Sequence, residues 1–294
     1  MGPARTVRAA VLDRLAFSAY DLPTRDKVPL LQELMRPAGE GLALDVGIGT
    51  GYTTYSVFGE RATVSVDLDP ANLQQYRTRL LAVPGARRPL CVVARADGLP
   101  FKPGTFRFAL CSEVLEHLED DGGTVSELAR VLAPGGRLVV TVPYTGLGFT
   151  SFLELGRIRT VHEFPGPEHH VRPGYNESGL RALLESRGLV VERVAFYLRF
   201  FTRLMVDLVS LAHLSYQRIV YRRRAWTWAE AQAVADRPIF RLYRWLFGGL
   251  RTVCGLDRLI AGARGFGLVV LARRPGLADR AGSDQATAAA RSGR

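Results

Sequence analysis

The seven residues Asp45-Val46-Gly47-Ile48-Gly49-Thr50-Gly51 constrain this chain more than any other stretch. They follow a short apolar run, Leu42-Ala43-Leu44, and precede a segment from Tyr52 to Phe58 that can open a helix. A strand, a glycine turn and a helix start together make a nucleotide-type site. Glycine lets a ligand come against the backbone, and the helix start presents N–H groups that lack an intrahelical partner. Dinucleotide folds space their glycines as G-x-G-x-x-G. Here the glycines fall at 47, 49 and 51, with an acid two residues before the first. An acid at that point suits a ligand carrying a cation rather than a pyrophosphate.

The 294 residues can hold one large domain, or a core domain with an insertion. The net charge is +11, and arginine carries nearly all the positive charge, since Lys27 and Lys102 are the two lysines. Cys91, Cys111 and Cys254 are odd in number and widely spaced. They suggest reduced thiols in a cytosolic protein, not a disulfide frame or a zinc site. The N-terminus has no apolar signal region, and no run of about 20 uncharged apolar residues suggests a transmembrane helix. The expectation is therefore a cytoplasmic protein.

Residues 5–37 read as helical, with breaks at Pro23 and Pro29. Strand-like segments then recur at 42–46, 63–67, 89–95, 106–111, 137–142, 189–196 and 267–272. Helical patterns lie between most of them, at 72–81, 125–132 (closed by Pro134-Gly135-Gly136) and 180–187 (closed by Gly188). Alternating strands and helices argue for an α/β fold, a parallel sheet wound on both faces with its ligand at the carboxyl ends of the strands. The expected organisation is N-terminal helices over 1–37 and a core over 38–197 and 263–274. A helical insertion over 198–262 and a disordered tail over 275–294 complete it.

Five motifs in order carry a family resemblance. They are Leu44 to Gly51, Val64-Ser65-Val66-Asp67-Leu68-Asp69-Pro70, and Ala96-Asp97-Gly98-Leu99-Pro100-Phe101. Ser112 to Leu118 and Leu128 to Leu138 complete the series. Over residues 40–196 the chain resembles the class I S-adenosylmethionine-dependent methyltransferases, in the branch acting on small molecules and lipid precursors. The resemblance implies a seven-stranded Rossmann-like sheet and S-adenosylmethionine as cofactor. It lays Gly47, Gly49 and Gly51 against the methionine part, which Asp45 anchors directly or through water. Asp67, with Leu68 after it, ends the second strand, where a carboxylate can accept both ribose hydroxyls. Asp97 is placed for the adenine amino group, with Gly98 and Leu99 beside the ring. Tyr20 is a candidate for closing over the site. Each acid also has a plainer reading: Asp45 as a helix cap, Asp69 before Pro70 as a cap or turn residue. Arg107 departs from the family, which usually has Asp there.

Methyl transfer to a hydroxyl needs alignment, exclusion of water and a proton acceptor. His117 is the first candidate for that acceptor, with a hydrogen-bonded strut as its alternative. His169 and His170 are the second, in a loop with His162; their alternative is a solvated loop. His213 reads as structural. If 113–118 is helical, Glu113, Glu116 and His117 share a face and could hold a divalent cation with a later histidine. Small-RNA 2′-O-methyltransferases and some quinone-pathway O-methyltransferases are similar in this respect.

Residues 199–251 hold ten arginines against Asp207, Glu230 and Asp236, a charge of +7, together with Trp226, Trp228 and Trp245. One apolar stripe runs through Phe201, Leu204, Met205, Leu208, Leu211 and Ala212. A second runs through Ile239, Leu242, Tyr243, Leu246 and Leu250, and Arg222-Arg223-Arg224 lies between them. Such stripes suit a cap packed on the core, peripheral contact with an anionic membrane on its inner face, or nucleic acid. The expected function is O-methylation of a small hydroxylated or lipid-linked acceptor. The alternatives are an RNA ribose 2′-O-methyltransferase with a divalent metal, and a non-catalytic cofactor-binding subunit at the membrane.

Overall fold

The computed structural model describes residues 3–15, 21–36, 39–59, 61–148, 151–152, 170–220, 238–260 and 262–276. Tyr20, His162, His169, Arg222 to Arg224, Trp226, Trp228 and residues 277–294 lie outside the described residues, as does the side chain of His213.

Two helices, α1 (Pro3–Arg14) and α2 (Leu22–Leu34), precede the sheet. Then β1 (Ala43–Val46), α3 (Tyr52–Phe58), β2 (Thr63–Asp67), α4 (Pro70–Leu81), β3 (Leu90–Val93) and β4 (Phe106–Ser112) follow. A single 3-10 turn (Leu115–His117), α5 (Asp121–Val131), β5 (Leu132–Pro143), α6 (Glu177–Ser186) and β6 (Val190–Tyr197) come next. The last described elements are α7 (Phe200–Val220), α8 (Pro238–Cys254), a 3-10 segment (Gly255–Ile260) and β7 (Gly267–Arg273).

The seven strands lie in the order β3-β2-β1-β4-β5-β7-β6. β1 pairs in parallel with both β2 and β4, so the order reverses there and opens a crevice at the carboxyl ends of these strands. Side chains alternate between two cores, as the two-residue period of a strand requires. Leu44, Cys111, Val140 and Val270 face Val125 and Leu128 of α5 and Leu180 of α6. Leu110, Val139 and Val269 face Leu31 and Leu34 of α2 and Phe58 of α3.

The sheet is mixed, not wholly parallel: β7 runs antiparallel to both β5 and β6. Gly267 begins β7 beside Pro143 and Tyr197, where its neighbours end. The chain leaves β6 at that end and returns at the same end, so β7 can only run back. Pro29 lies inside α2 rather than breaking it; the break falls between Arg14 and Leu22. Pro134-Gly135-Gly136 lies within β5, absorbed by a register shift between Phe106 and Phe108 of β4. Arg107 donates to the Pro134 carbonyl at this bulge, away from the crevice.

The helices between β6 and β7 are tied to α2. Asp257 accepts from the N–H groups of Phe201 and Thr202 at the start of α7 (2.8 and 2.9 Å). Asp26 of α2 accepts from Leu198 N–H (2.6 Å). Leu22, Met205 and Phe247 are buried together. The two apolar stripes therefore divide: Met205 turns inward, beside Phe247, while Leu208, Leu211, Leu242 and Leu246 stay exposed, as does Trp245. Among the described residues, no helix is long and apolar enough to cross a membrane.

Candidate active site

A cavity of about 370 Å³ opens at the switch between β1 and β4. Its walls are the turn from Gly47 to Thr50 with Thr53 and Thr54, Asp21, Thr24 and Lys27 of α2, and Asp45, Ser112 and Glu113 below.

Gly47, Gly49 and Gly51 all have positive φ (79°, 49° and 76°), a region that disfavours residues with a Cβ. A Cβ at Gly47 would meet Val114 at 2.3 Å, and one at Gly51 would meet the Tyr76 ring at 2.0 Å. At Gly49 a Cβ would meet nothing within 4 Å. Two glycines are thus fixed by packing, and the middle one faces open space. Asp67 braces the turn, its Oδ2 accepting from Gly49 N–H at 3.3 Å and its Oδ1 from Asp69 N–H at 2.9 Å. Asp69 caps α4 by accepting from Ala71 N–H. Asp45 does not cap a helix. Its side chain is buried and accepts from the Thr54 hydroxyl. Burial pushes its carboxyl up to about 7; Thr54 opposes the shift, Asp67 adds to it, and Lys27 opposes it.

The adenine-side residues are arranged differently from expectation. Asp97 is already engaged: the Arg95 guanidinium forks onto both its oxygens (2.9 and 2.6 Å) and holds its carboxyl below the usual range. Leu99 is turned into the core, its N–H donating to Glu127 at 2.9 Å. Leu68 is the open apolar side chain, 66% exposed, and Gly98 leaves free space where a Cβ would stand.

Five polar side chains form one network at and beneath the cavity wall, with Lys27, Ser112 and Glu113 lining it, and sequence alone pointed to a role for only one of them, Glu113. Lys27 Nζ donates to Ser112 Oγ at 3.0 Å and lies 3.6 Å from Glu113 Oε1. Thr141 Oγ1 and Tyr197 Oη both donate to that same Glu113 oxygen (2.6 and 2.5 Å). Burial, then Glu113, raises the Tyr197 phenol well above its ordinary value. Glu113 itself has φ +55°, a conformation rare for a residue with a Cβ, and its carboxylate is held by Lys27, Thr141 and Tyr197. Lys27 had one signal, as one of two lysines in an arginine-rich chain. Tyr197 and Thr141 come from β6 and β5, and only the sheet order brings them to β4.

Residues 113–118 are not one helix: only Leu115–His117 form a 3-10 turn, with Glu113 outside it though still adjacent to Glu116. The backbone turns at Glu113, and the 3-10 turn that follows carries Glu116 and His117, neither of which lines the cavity. His170 joins them there. The His117 and His170 rings meet edge to face at 4.6 Å. Glu116 is buried, and burial with the adjacent Glu113 pushes its carboxyl up. Neither histidine is on the cavity wall, which Glu113 occupies instead.

Comparison with known proteins agrees with this architecture. Residues 44–140 match the family described as a methyltransferase domain. A malonyl-[acyl-carrier protein] O-methyltransferase from Halorhodospira halophila is 37% identical over 142 residues, covering 46% of this chain and 47% of its own. A ubiquinone biosynthesis O-methyltransferase from Xylella fastidiosa is 29% identical over 160 residues, covering 54% and 65%. The chain thus spans about half to two thirds of the length of these relatives. The [4+2]-cyclase SpnF has the same fold, with a TM-score of 0.55 and 19% identity over 85% of this chain and 80% of its own. Fold and site together define the Rossmann-like methyltransferase class. Residues 44–140 are a methyltransferase domain, and the relatives and the fold support a class I S-adenosylmethionine-dependent methyltransferase.

Proposed function

We propose that the protein O-methylates a small hydroxylated or lipid-linked acceptor with S-adenosylmethionine. The carrying observation is a single cavity that joins the glycine turn and buried Asp45 to the Lys27–Glu113 network. The residues fit the cofactor: a buried carboxylate faces the cavity, as an ammonium group requires, and Gly49 leaves backbone open for close approach. When bound, S-adenosylmethionine supplies a methyl group on a positively charged sulfur, already an excellent leaving group. The chain's own residues then have three tasks. Asp45 and Asp67 orient the donor. Lys27 and Ser112 hold the acceptor oxygen beside Glu113. Glu113 would accept the hydroxyl proton as the acceptor oxygen takes the methyl group that the cofactor would supply. The relatives' O-methyltransferase names support an oxygen acceptor.

The reading includes a peripheral station on the inner face of a membrane. Its support is the apolar residues that α7, α8 and the following 3-10 segment leave exposed, alongside arginines.

The test supplies methyl-labelled cofactor and a cell extract, then separates RNA, lipid, protein and small molecules. Label is expected in the lipid or small-molecule fraction. Label in RNA favours a ribose methyltransferase instead, and cofactor binding without label favours a non-catalytic subunit. Asp67→Ala should remove cofactor binding in calorimetry; unchanged affinity would contradict the site.

A further inference from the structure

We propose that the outer edge of β3 binds an extended acidic segment of a partner protein, which joins the sheet as an added strand. β3 stands at the end of the strand order, so β2 is its one neighbour among the described strands. The two pair in parallel without a register shift from Leu90 to Val93. Ala94 N–H continues the ladder inward, to the Asp67 carbonyl (3.2 Å). Peptide groups alternate in direction along a strand, so Cys91 and Val93 turn their N–H and C=O groups away from β2. Apolar surface flanks this row: Leu90 is 63% exposed, Val93 56%, and Leu81 at the end of α4 47%. The opposite edge of the sheet is built differently. β6 carries charges on the strand itself, with Glu192 paired to Arg273 and Arg193 to Glu33. A register shift between Val191 and Arg193 also interrupts its pairing. Charges and bulges keep a strand edge from pairing, and Leu90-Cys91-Val92-Val93 has neither.

The charge around the edge selects the partner. Residues 70–96 contain five arginines and no acid. Burial raises the Cys91 thiol and the nearby Arg77 opposes the shift, which sets Arg77 of α4 beside the strand. Arg87 and Arg88 lead into β3, and both are exposed. A segment rich in Asp and Glu would meet these charges while its backbone pairs with Cys91 and Val93 and its apolar residues cover Leu90 and Val93. A second copy of the chain would instead bring the same arginines against each other. Single-stranded RNA would answer the charge but not the outward row of N–H and C=O groups. The one aromatic residue in 70–96, Tyr76, is buried, so this edge offers no ring for a base to stack on. No residue of 70–96 lines the cavity, and the site stands independently of the methyl-transfer reading.

The test pans the full chain against a displayed library of random peptides about ten residues long, enough for one strand. The selected peptides are then measured by fluorescence anisotropy. Acid-rich sequences with interspersed Val, Ile or Leu are expected. They should slow hydrogen exchange at Cys91 and Val93 and leave 45–54 unchanged. Val93→Pro removes an outward N–H without touching the ladder to β2, so it should weaken binding at least about tenfold with little change in melting temperature. Arg77→Glu combined with Arg88→Glu should weaken binding by about as much, and it carries the test if circular dichroism shows that Val93→Pro does not fold. The site would be overturned by a panning that yields no binders, or binders without acid enrichment. It would equally be overturned by acidic peptides that bind either folded variant as tightly as the parent, or that a single-stranded RNA oligonucleotide displaces.

Discussion

Gly49 and Gly51 sit two residues apart in one turn, yet substitution should affect them through different causes. A methyl group at Gly51 runs into Tyr76 in the core, so Gly51→Ala should lower stability by roughly 1–3 kcal/mol in chemical denaturation. A methyl group at Gly49 meets only open space. Gly49→Ala should cost about 1–2 kcal/mol of backbone strain and weaken cofactor binding in calorimetry, because that open space is where the ligand approaches. Equal losses of affinity and stability at both positions would show that the turn is a structural element only. Asp45 adds a pH dependence. Its carboxyl ionises near 3.8 in the unfolded chain and at about 7 in the folded one. In the empty protein this group favours the folded state most at low pH, and the contribution is lost as pH rises from about 4 to about 7. A ligand ammonium needs the ionised form, so cofactor affinity should rise about tenfold per pH unit from 5.5 toward 7. Asp45→Asn should bind weakly with a flat profile, and a flat profile in the parent chain would remove Asp45 from the cation site.

The same logic separates what the sequence showed from what it hid. All seven strands were legible, because each is a short apolar run bounded by turn residues, and 63–67 matches β2 residue for residue. The direction of β7 was hidden, because it depends on where the chain re-enters the sheet. The turn at 45–51 was legible because its chemistry is contiguous. The Glu113 network was not, since its five residues come from α2, β4 and the turn after it, β5 and β6, and meet only through the sheet order. Residues 113–118 misled for a related reason: helical spacing groups Glu113 with Glu116 and His117, but only Leu115–His117 turn as a 3-10 helix, and Glu113 joins the network with Lys27, Thr141 and Tyr197 instead. The α7–α8 pair was half legible, since periodicity finds an apolar stripe without saying which part is covered. Trp245 is 79% exposed and Leu259 80% exposed, beside Arg241, Arg244 and Arg258. These residues should sediment the protein with vesicles containing anionic lipid and much less with zwitterionic ones. A Trp245→Ala, Leu259→Asp variant should lose most of that binding while its melting temperature changes little, because both side chains face solvent. Retained sedimentation would place the membrane contact elsewhere.

These elements meet in the cavity, whose walls come from parts of the chain far apart in sequence. α2 supplies one wall, the β1–α3 turn another, and the end of β4 the floor. Lys27 spans the gap from α2 to Ser112 and Glu113, and Asp26 next to it holds the start of the β6–β7 insertion through Leu198. A ligand that fills the cavity therefore ties the N-terminal helix to the sheet, so its effect should reach beyond the glycine turn. At about a hundredfold excess over Kd, binding contributes about 2.7 kcal/mol to the folded state. For a chain of 294 residues that corresponds to a rise in melting temperature of about 4 °C. Hydrogen exchange tells where the stabilisation lies. The cofactor should slow exchange at 45–54, at 21–27 and at 112–117 together, and leave α8 nearly unchanged, since α8 contributes no residue to the cavity wall. Protection confined to 45–54 would mean that α2 is not part of the binding wall, and Lys27 would lose its place beside the acceptor. Protection extending into α8 would mean that the arginine-rich helices close over the ligand, making the membrane-facing surface and the active site one coupled unit.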